Sequence, residues 1–185
     1  MTARHLDVVI REAMIGADDD AVTDLFKEYL TGACDRVSKH LSELGELDQV
    51  QSSLDELVAS TDAEQIRANL AQFRPPDGQL FLAERNGRGL GIGALRTIGP
   101  TICEIKRLYV RQEARRQGIA VAISERLLQQ ARTLGMSTVR LDTFRDFGEA
   151  QALIQAGGFK IREPYTESEI PEPLRRFWIF FEREL

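Results

Sequence analysis

The sequence predicts a mixed α/β fold: one central twisted sheet of about six or seven strands, antiparallel in its first part, parallel at one later pair, and flanked by helices. Asn86-Gly87 joins two apolar runs, Leu80–Glu84 and Leu90–Thr97, and this dipeptide is the strongest short-range hairpin signal. A third run, Thr101–Val110, follows Gly99-Pro100, so residues 79–110 read as an antiparallel meander. A helical pattern over Gln117–Leu134, carried by Ile119, Ile123, Leu127, Leu128 and Ala131, then separates that strand from the strand Ser137–Asp142. Strand, helix, strand is the crossover that sets two strands parallel.

The remaining elements follow in order. Leu6–Arg11 alternates in the manner of a short strand. Ala17-Asp18-Asp19-Asp20 offers N-cap and first-turn acids ahead of Val22, Leu25, Phe26, Tyr29 and Leu30, which share a helical face. From Asp35 to Leu70 the apolar residues Val37, Leu41, Leu44, Leu47, Val50, Leu54 and Leu57 recur at helical spacing, giving two or three helices with a break near Ser60-Thr61-Asp62. Thr61-Asp62-Ala63-Glu64 resembles a capping box for the next helix. Arg74-Pro75-Pro76-Asp77-Gly78 stops the helical region. Gly87, Gly89, Gly91 and Gly93 do not form a dinucleotide fingerprint, because another strand follows them instead of a helix; small residues here permit close packing or a bulge.

Length and composition narrow the classes. A chain of 185 residues is expected to form one domain, residues 1–185, burying about 70% of its unfolded surface. Hydrophobic content of 43% with 29% charged residues is ordinary for a globular protein. No apolar run is long enough for a membrane helix, and the first residues lack the apolar core of a signal peptide, so a cytoplasmic protein without membrane association is expected. Cys34 and Cys103 lie in unrelated segments without metal-ligand spacing, which argues against a disulfide framework or a metal site. The net charge of −5 hides an asymmetry: residues 1–73 carry 6 Lys and Arg against 15 Asp and Glu, leaving 18 against 14 in the remainder. Either the acidic half helps attract a cationic partner, or its acids simply form solvated faces. No basic stripe with interleaved aromatics suggests nucleic acid.

The chemistry concentrates between Glu104 and Ala120. After the strand ending Lys106-Arg107-Leu108-Tyr109-Val110 comes Arg115-Arg116-Gln117-Gly118-Ile119-Ala120, opening a helix. A loop and helix N-terminus present free backbone N–H groups and a positive dipole end to an anion. Gly118 removes a Cβ where a phosphate would approach, and Arg115 and Arg116 add positive charge. Arg-x-x-Gly-x-Ala after this strand resembles the coenzyme A loop of the GNAT superfamily of N-acetyltransferases. Ser137–Asp142, the helix and Gly-Phe ending within Ala150–Phe159, and the closing strand Phe177–Glu182 agree with the family in order and spacing.

The resemblance implies the GNAT fold, with two parallel strands splayed at the cofactor loop, and direct transfer of an acetyl group from acetyl-CoA to a primary amine of a small molecule or peptide, without a metal. It implies that main-chain groups of Leu108, Tyr109 and Val110 pair with the pantetheine arm, and that Arg115, Arg116, Gln117, Gly118, Ile119 and Ala120 hold the pyrophosphate. It also implies a general base at Glu104, at the strand position where some members carry a glutamate. Glu104 could instead bind the substrate amine or pair with Lys106, which shares its strand face while Arg107 points the other way. The family's usual general-acid tyrosine position holds Ile154, leaving Tyr165 or Tyr109 as candidate acids, with Tyr165 also readable as a packed loop aromatic. A non-catalytic acyl-CoA-binding or interaction module is the alternative that Ile154 raises. Residues 31–73 read as an extended helical region on the substrate side, serving as an entrance cover, a structural cover or a homodimer contact. His5 and His40 have no partner at suggestive spacing, Cys103 faces away from Glu104, and Trp178 reads as core or interface.

Overall fold

The computed structural model describes residues 7–14, 16–58 and 63–185. Its elements run β1 (Val9–Glu12), α1 (Asp19–Glu43), α2 (Leu47–Val58), α3 (Ala63–Leu70), β2 (Gly78–Arg85), β3 (Arg88–Gly99), β4 (Ile102–Val110), α4 (Ile119–Thr133), β5 (Thr138–Phe144), α5 (Gly148–Ala156), β6 (Lys160–Arg162) and β7 (Trp178–Glu184). The seven strands form one mixed sheet in the order β1-β2-β3-β4-β5-β7-β6. β1 to β4 are antiparallel neighbours, β4 and β5 are parallel, and β7 runs antiparallel to both β5 and β6.

Local chemistry accounts for most of these elements. Asn86 and Gly87 both take positive φ, 52° and 76°, the mirror-image turn that matches strand twist, and Arg85 pairs with Arg88 across it. α1 starts at the expected acids, yet Asp18 makes no capping bond to the helix; its carboxylate accepts from the Met14 N–H and from Arg11. α1 then runs unbroken for 25 residues, through the division expected between a first helix and the 31–73 region. Nothing in its period interrupts the apolar face there. The first strand starts at Val9 and ends at Glu12, one residue past the expected stretch; Leu6 lies outside the described residues, as do Thr61 and Asp62 of the expected capping box. β6, three residues long, was not separately legible.

Helices cover both faces. α4 and α5 pack on one face through Ile119, Ile123, Leu127, Ala131 and Ile154. Cβ atoms on Gly91 and Gly93 would come within 2.7 Å of the Tyr109 carbonyl and 2.5 Å of Ile123, so these glycines let α4 lie close on β3. On the other face there are two apolar clusters. One joins α1 (Leu25, Phe26) and α3 (Ile66) to β2 and β3. The other joins the later part of α1 (Val37, Leu41) and α2 (Val50, Leu54) to Phe144, Tyr165, Leu174 and Trp178. The helical region 31–73 therefore leans largely on the segment between β6 and β7. Several acids of the N-terminal half are ion-paired: Asp18 with Arg11 at 2.6 Å, Asp20 with Arg67 at 3.2 Å and Glu28 with Arg111 at 2.7 Å. No helix among the described residues is long and apolar enough to cross a membrane.

Candidate active site

Two features meet where β4 parts from β5. The first is the loop into α4. After a 3-10 turn at Gln112–Ala114, Arg116 (φ 59°) and Gly118 (φ 81°) adopt left-handed backbone conformations, which turn successive N–H groups to one side. From Arg116 to Val121 no backbone N–H finds an acceptor within the described residues; the helix ladder begins with Ala122 N–H donating to the Gly118 carbonyl at 3.0 Å. Arg115 and Arg116 are exposed, and neither pairs with a carboxylate among the described residues. Arg115 Nε donates to the Val110 carbonyl at 3.0 Å, which braces the loop against the strand end. The Gln117 side chain is spent within the loop, accepting from Arg85 and donating to the Glu113 carbonyl. Ile119 is buried in the core and fixes the helix start.

The second feature is the parting of β4 from β5. Their parallel pairing covers only Ile102–Thr138, Cys103–Val139 and Glu104–Arg140, although the strands continue to Val110 and Phe144. The cause lies in β4. Its register against β3 gains a residue between Lys106 and Tyr109, and Arg107 sits at φ 58°, the signature of a bulge. Bulges bend a strand and increase its twist. The bulge also corrects the expectation for Arg107. Simple alternation sends it away from Lys106, but both reach Glu169, at 3.2 and 3.6 Å. Leu108 and Val110 then pack toward α4, while Tyr109 turns to the α1 face and lies against Tyr29.

On that face, between the two apolar clusters, runs a buried polar seam. Glu104 is fully buried. Its Oε2 accepts from Arg96 Nε at 2.8 Å and forms an ion pair with Arg96 Nη2 at 2.7 Å, and its Oε1 accepts from the Tyr165 hydroxyl at 2.5 Å. Lys106, a possible partner of Glu104, does pair with it, at 3.6 Å; its nearer partner is Asp142, at 3.0 Å. Glu169, from the irregular segment before β7, completes the seam on Arg96, Lys106 and Arg107. Burial alone would lower the Lys106 ammonium pKa, but Asp142, Glu104 and Glu169 hold it above its ordinary value. Burial raises the Tyr165 phenol far above its usual range, and the Asp142 and Glu104 charges push it further. Glu169 works against its own burial: Lys106, Arg107 and Arg96 keep its carboxyl below the usual value.

The structure thus joins Glu104 and Tyr165, 61 residues apart, through a hydrogen bond. Tyr109 lies elsewhere, its hydroxyl 3.3 Å from Glu28. Ile154 is core. Cys103 faces α4, its thiol pushed up to about 12 chiefly by burial. His40 stacks edge-on to Phe144 beside Asp146, and Trp178 packs against Phe144 in the core; His5 lies outside the described residues. Arg96, Asp142 and Glu169 were missed. Arg96 had a signal, a charge directly after the apolar run of β3; Asp142, in a strand that already carries Arg140, and Glu169 had none. A cleft of about 340 Å³ lined by Glu12, Asp18, Phe73 and Gln79 shares no residue with the loop or the seam.

Comparison with known proteins agrees with this geometry. The model of the acetyltransferase (GNAT) family matches residues 43–159. An uncharacterised N-acetyltransferase of Schizosaccharomyces pombe is 33% identical over 137 residues, 73% of this chain and 78% of that protein. N-acetyltransferase 8 of Homo sapiens is 42% identical over 85 residues, 43% of this chain and 37% of that protein. Among solved structures, the PaiA N-acetyltransferase of Thermoplasma acidophilum in complex with coenzyme A superposes with a TM-score of 0.69 over 97% of this chain and 100% of that one, at 15% identity, a likeness of fold.

Proposed function

Because the chain belongs to the GNAT family of acetyltransferases, we propose that it transfers an acetyl group from acetyl-CoA directly to a primary amine of a small molecule or peptide. The observation that carries this reading is the run of N–H groups from Arg116 to Val121 that find no acceptor among the described residues, with left-handed Arg116 and Gly118 and with Arg115 and Arg116, which meet no carboxylate among them, beside a strand parted from its neighbour. These groups fit a pyrophosphate: backbone donors and the dipole of α4 attract it, and Arg115 and Arg116 add charge. Gln117, Ile119 and Ala120 contribute through the backbone. The main chain of Leu108, Tyr109 and Val110, where β4 has left β5, fits the pantetheine arm. Acetyl-CoA supplies the activated acetyl thioester.

In this reading the protein's own part is to orient the amine and take its proton. Glu104 has no exposed surface, and in this reading the Tyr165 hydroxyl, itself buried, is the group that hands it the proton of the acceptor amine. The phenol oxygen takes the amine proton as its own proton passes to Glu104 Oε1, and the neutral tyrosine is restored. The raised Tyr165 pKa suits a group that stays protonated at rest and disfavours one that must give its proton to a thiolate, whose conjugate acid has a pKa of about 8.5 by analogy with cysteine. Thiol release from acetyl-CoA, assayed against amines, amino acids, polyamines and peptides, tests the reading. Turnover on one class supports it. Acetyl-CoA binding without turnover on any would leave the acyl-CoA-binding module instead.

A further inference from the structure

We infer that Arg107, flanked by Arg96 and Lys106, is a recognition site for a carboxylate on the acceptor, occupied in this structure by Glu169, so that the amine acetylated carries a carboxylate of its own. The inference rests on the acetyltransferase reading and names the substrate class of the same site.

Among the described residues Arg107 is the cation of the seam with the fewest carboxylate partners. Arg96 has Glu104 and Glu169, with Gln72 besides, and Lys106 has Asp142 at 3.0 Å with Glu104 and Glu169 each at 3.6 Å. Arg107 has Glu169 alone, reached by one hydrogen bond from Nη2 at 3.2 Å, and lies 5.0 Å from the centroid of the Phe26 ring. Its Nε is buried and has no partner among the described residues. An unpartnered buried donor carries a desolvation cost that a ligand can remove. The left-handed bulge at Arg107 turns this guanidinium onto the Lys106 face when alternation would have sent it toward α4.

Glu169 is the removable member. Glu104 and Asp142 sit on strands with side chains 0% and 6% exposed; Glu169 sits on the irregular segment before β7 and is 25% exposed. Its withdrawal leaves Arg96, Lys106 and Arg107 against Glu104 and Asp142, one positive charge in excess, with Arg107 alone. A planar carboxylate from outside would restore the balance and give the guanidinium fork a bidentate partner, a geometry that an amide or a bare amine lacks. The cations are held on β3 and β4, so the site persists whichever carboxylate fills it. Lys106 also stands where β4 has parted from β5, next to the strand edge assigned above to the thioester arm.

The test uses matched pairs, free amino acids and their carboxamides, with wild type, Arg107→Gln and Glu169→Gln. Wild type should prefer the acids. Arg107→Gln should raise KM for the acids by about tenfold while leaving the amides within about twofold, since a charge-assisted bond is lost only with the former. Glu169→Gln removes the competitor and should lower KM for the acids. Equal use of acids and amides by wild type, or equal loss on both in Arg107→Gln, overturns the inference. Should Arg107→Gln fail to fold, Glu169→Gln carries the test, and an unchanged or raised KM for the acids overturns it. Acetyl-CoA calorimetry on the same proteins reports on the acetyltransferase reading. If that fails, direct binding of the amino acids to wild type still decides: acid binding weakened in Arg107→Gln supports the site, and no acid binding overturns it.

Discussion

Lys106 Nζ lies 3.0 Å from Asp142 Oδ2, an ion pair spanning the two parallel strands two residues beyond their last backbone pairing at Glu104–Arg140. Both side chains are 6% exposed. The pair therefore ties together β4 and β5 on the α1 face while their main chains diverge. A sheet that opens a slot for a ligand loses backbone bonds there, and a buried charge pair is one way to limit how far the opening runs.

Removing one partner should be costly, because it strands the other. Lys106→Met leaves Asp142 without its nearest cation and should cost about 3–5 kcal/mol, whereas Lys106→Met with Asp142→Leu should cost clearly less than the two single changes added. Denaturant unfolding of the four proteins measures the coupling; strictly additive costs would deny that the pair joins the strands. The sign with pH is also fixed. Lys106 is raised above its ordinary value, so its contribution is fully present below about pH 10.4 and is lost as pH rises through the higher folded value.

At the loop, Gly118→Val places a β-branched residue at φ 81°, where it is strained, and puts a side chain beside the free N–H groups. Acetyl-CoA affinity should drop at least about tenfold, about 1.4 kcal/mol. Arg116→Ala should weaken binding less, and less still at high salt, since its part is charge attraction. Calorimetry at two ionic strengths reads both. Unchanged affinity in a folded Gly118→Val protein would move the phosphates elsewhere.

Acid should loosen the segment before β7. Glu169 and Glu182 are both held below the ordinary carboxylate value, the first by Lys106, Arg107 and Arg96 against its own burial, the second chiefly by its bond from Arg140 and then from Arg162. Their contribution is present above the unfolded value of about 4.3 and disappears as pH falls through the lower folded values. Melting temperature should fall below about pH 4.3 in wild type and fall less steeply in Glu169→Gln. Parallel slopes would show that the three cations do not hold Glu169 as an anion.

What the sequence made legible were features with a local cause. Asn86-Gly87 fixed a turn because only a few residues tolerate its dihedral angles. The loop through Gly118 was readable because a helix start and a glycine act over a handful of residues. The alternation rule put Lys106 beside Glu104, but it failed one residue later, because the bulge at Arg107 is set by pairing with β3 and leaves no mark in the sequence of β4 alone. Glu104 and Tyr165 were each singled out, yet their contact joins β4 to a segment 61 residues away, and no local pattern encodes it. Glu169, on an irregular stretch, had no period at all to betray which face it would meet.

The relay through Tyr165 is the step most open to test. Glu104→Gln keeps the shape of the side chain and can still accept from Tyr165, but it cannot hold a proton, and its neutrality leaves Arg96 with Glu169 as its remaining carboxylate within reach. If Glu104 takes the amine proton, the rate should fall by roughly 10²–10⁴-fold, most visibly at low pH, and recover in part at high pH, where free amine is already present. Tyr165→Phe breaks the path at its middle and should show the same altered pH profile. The double substitution should then be no worse than the poorer single one, because residues acting as one unit are not additive. Acetyl-CoA affinity should survive both changes, since neither side chain is assigned to the phosphates. A tyrosine that instead served the thiolate would leave the low-pH limb of Tyr165→Phe unchanged. A Glu104→Gln enzyme that loses stability but keeps the wild-type pH profile would reduce Glu104 to the structural partner of Arg96 and end its role in proton transfer.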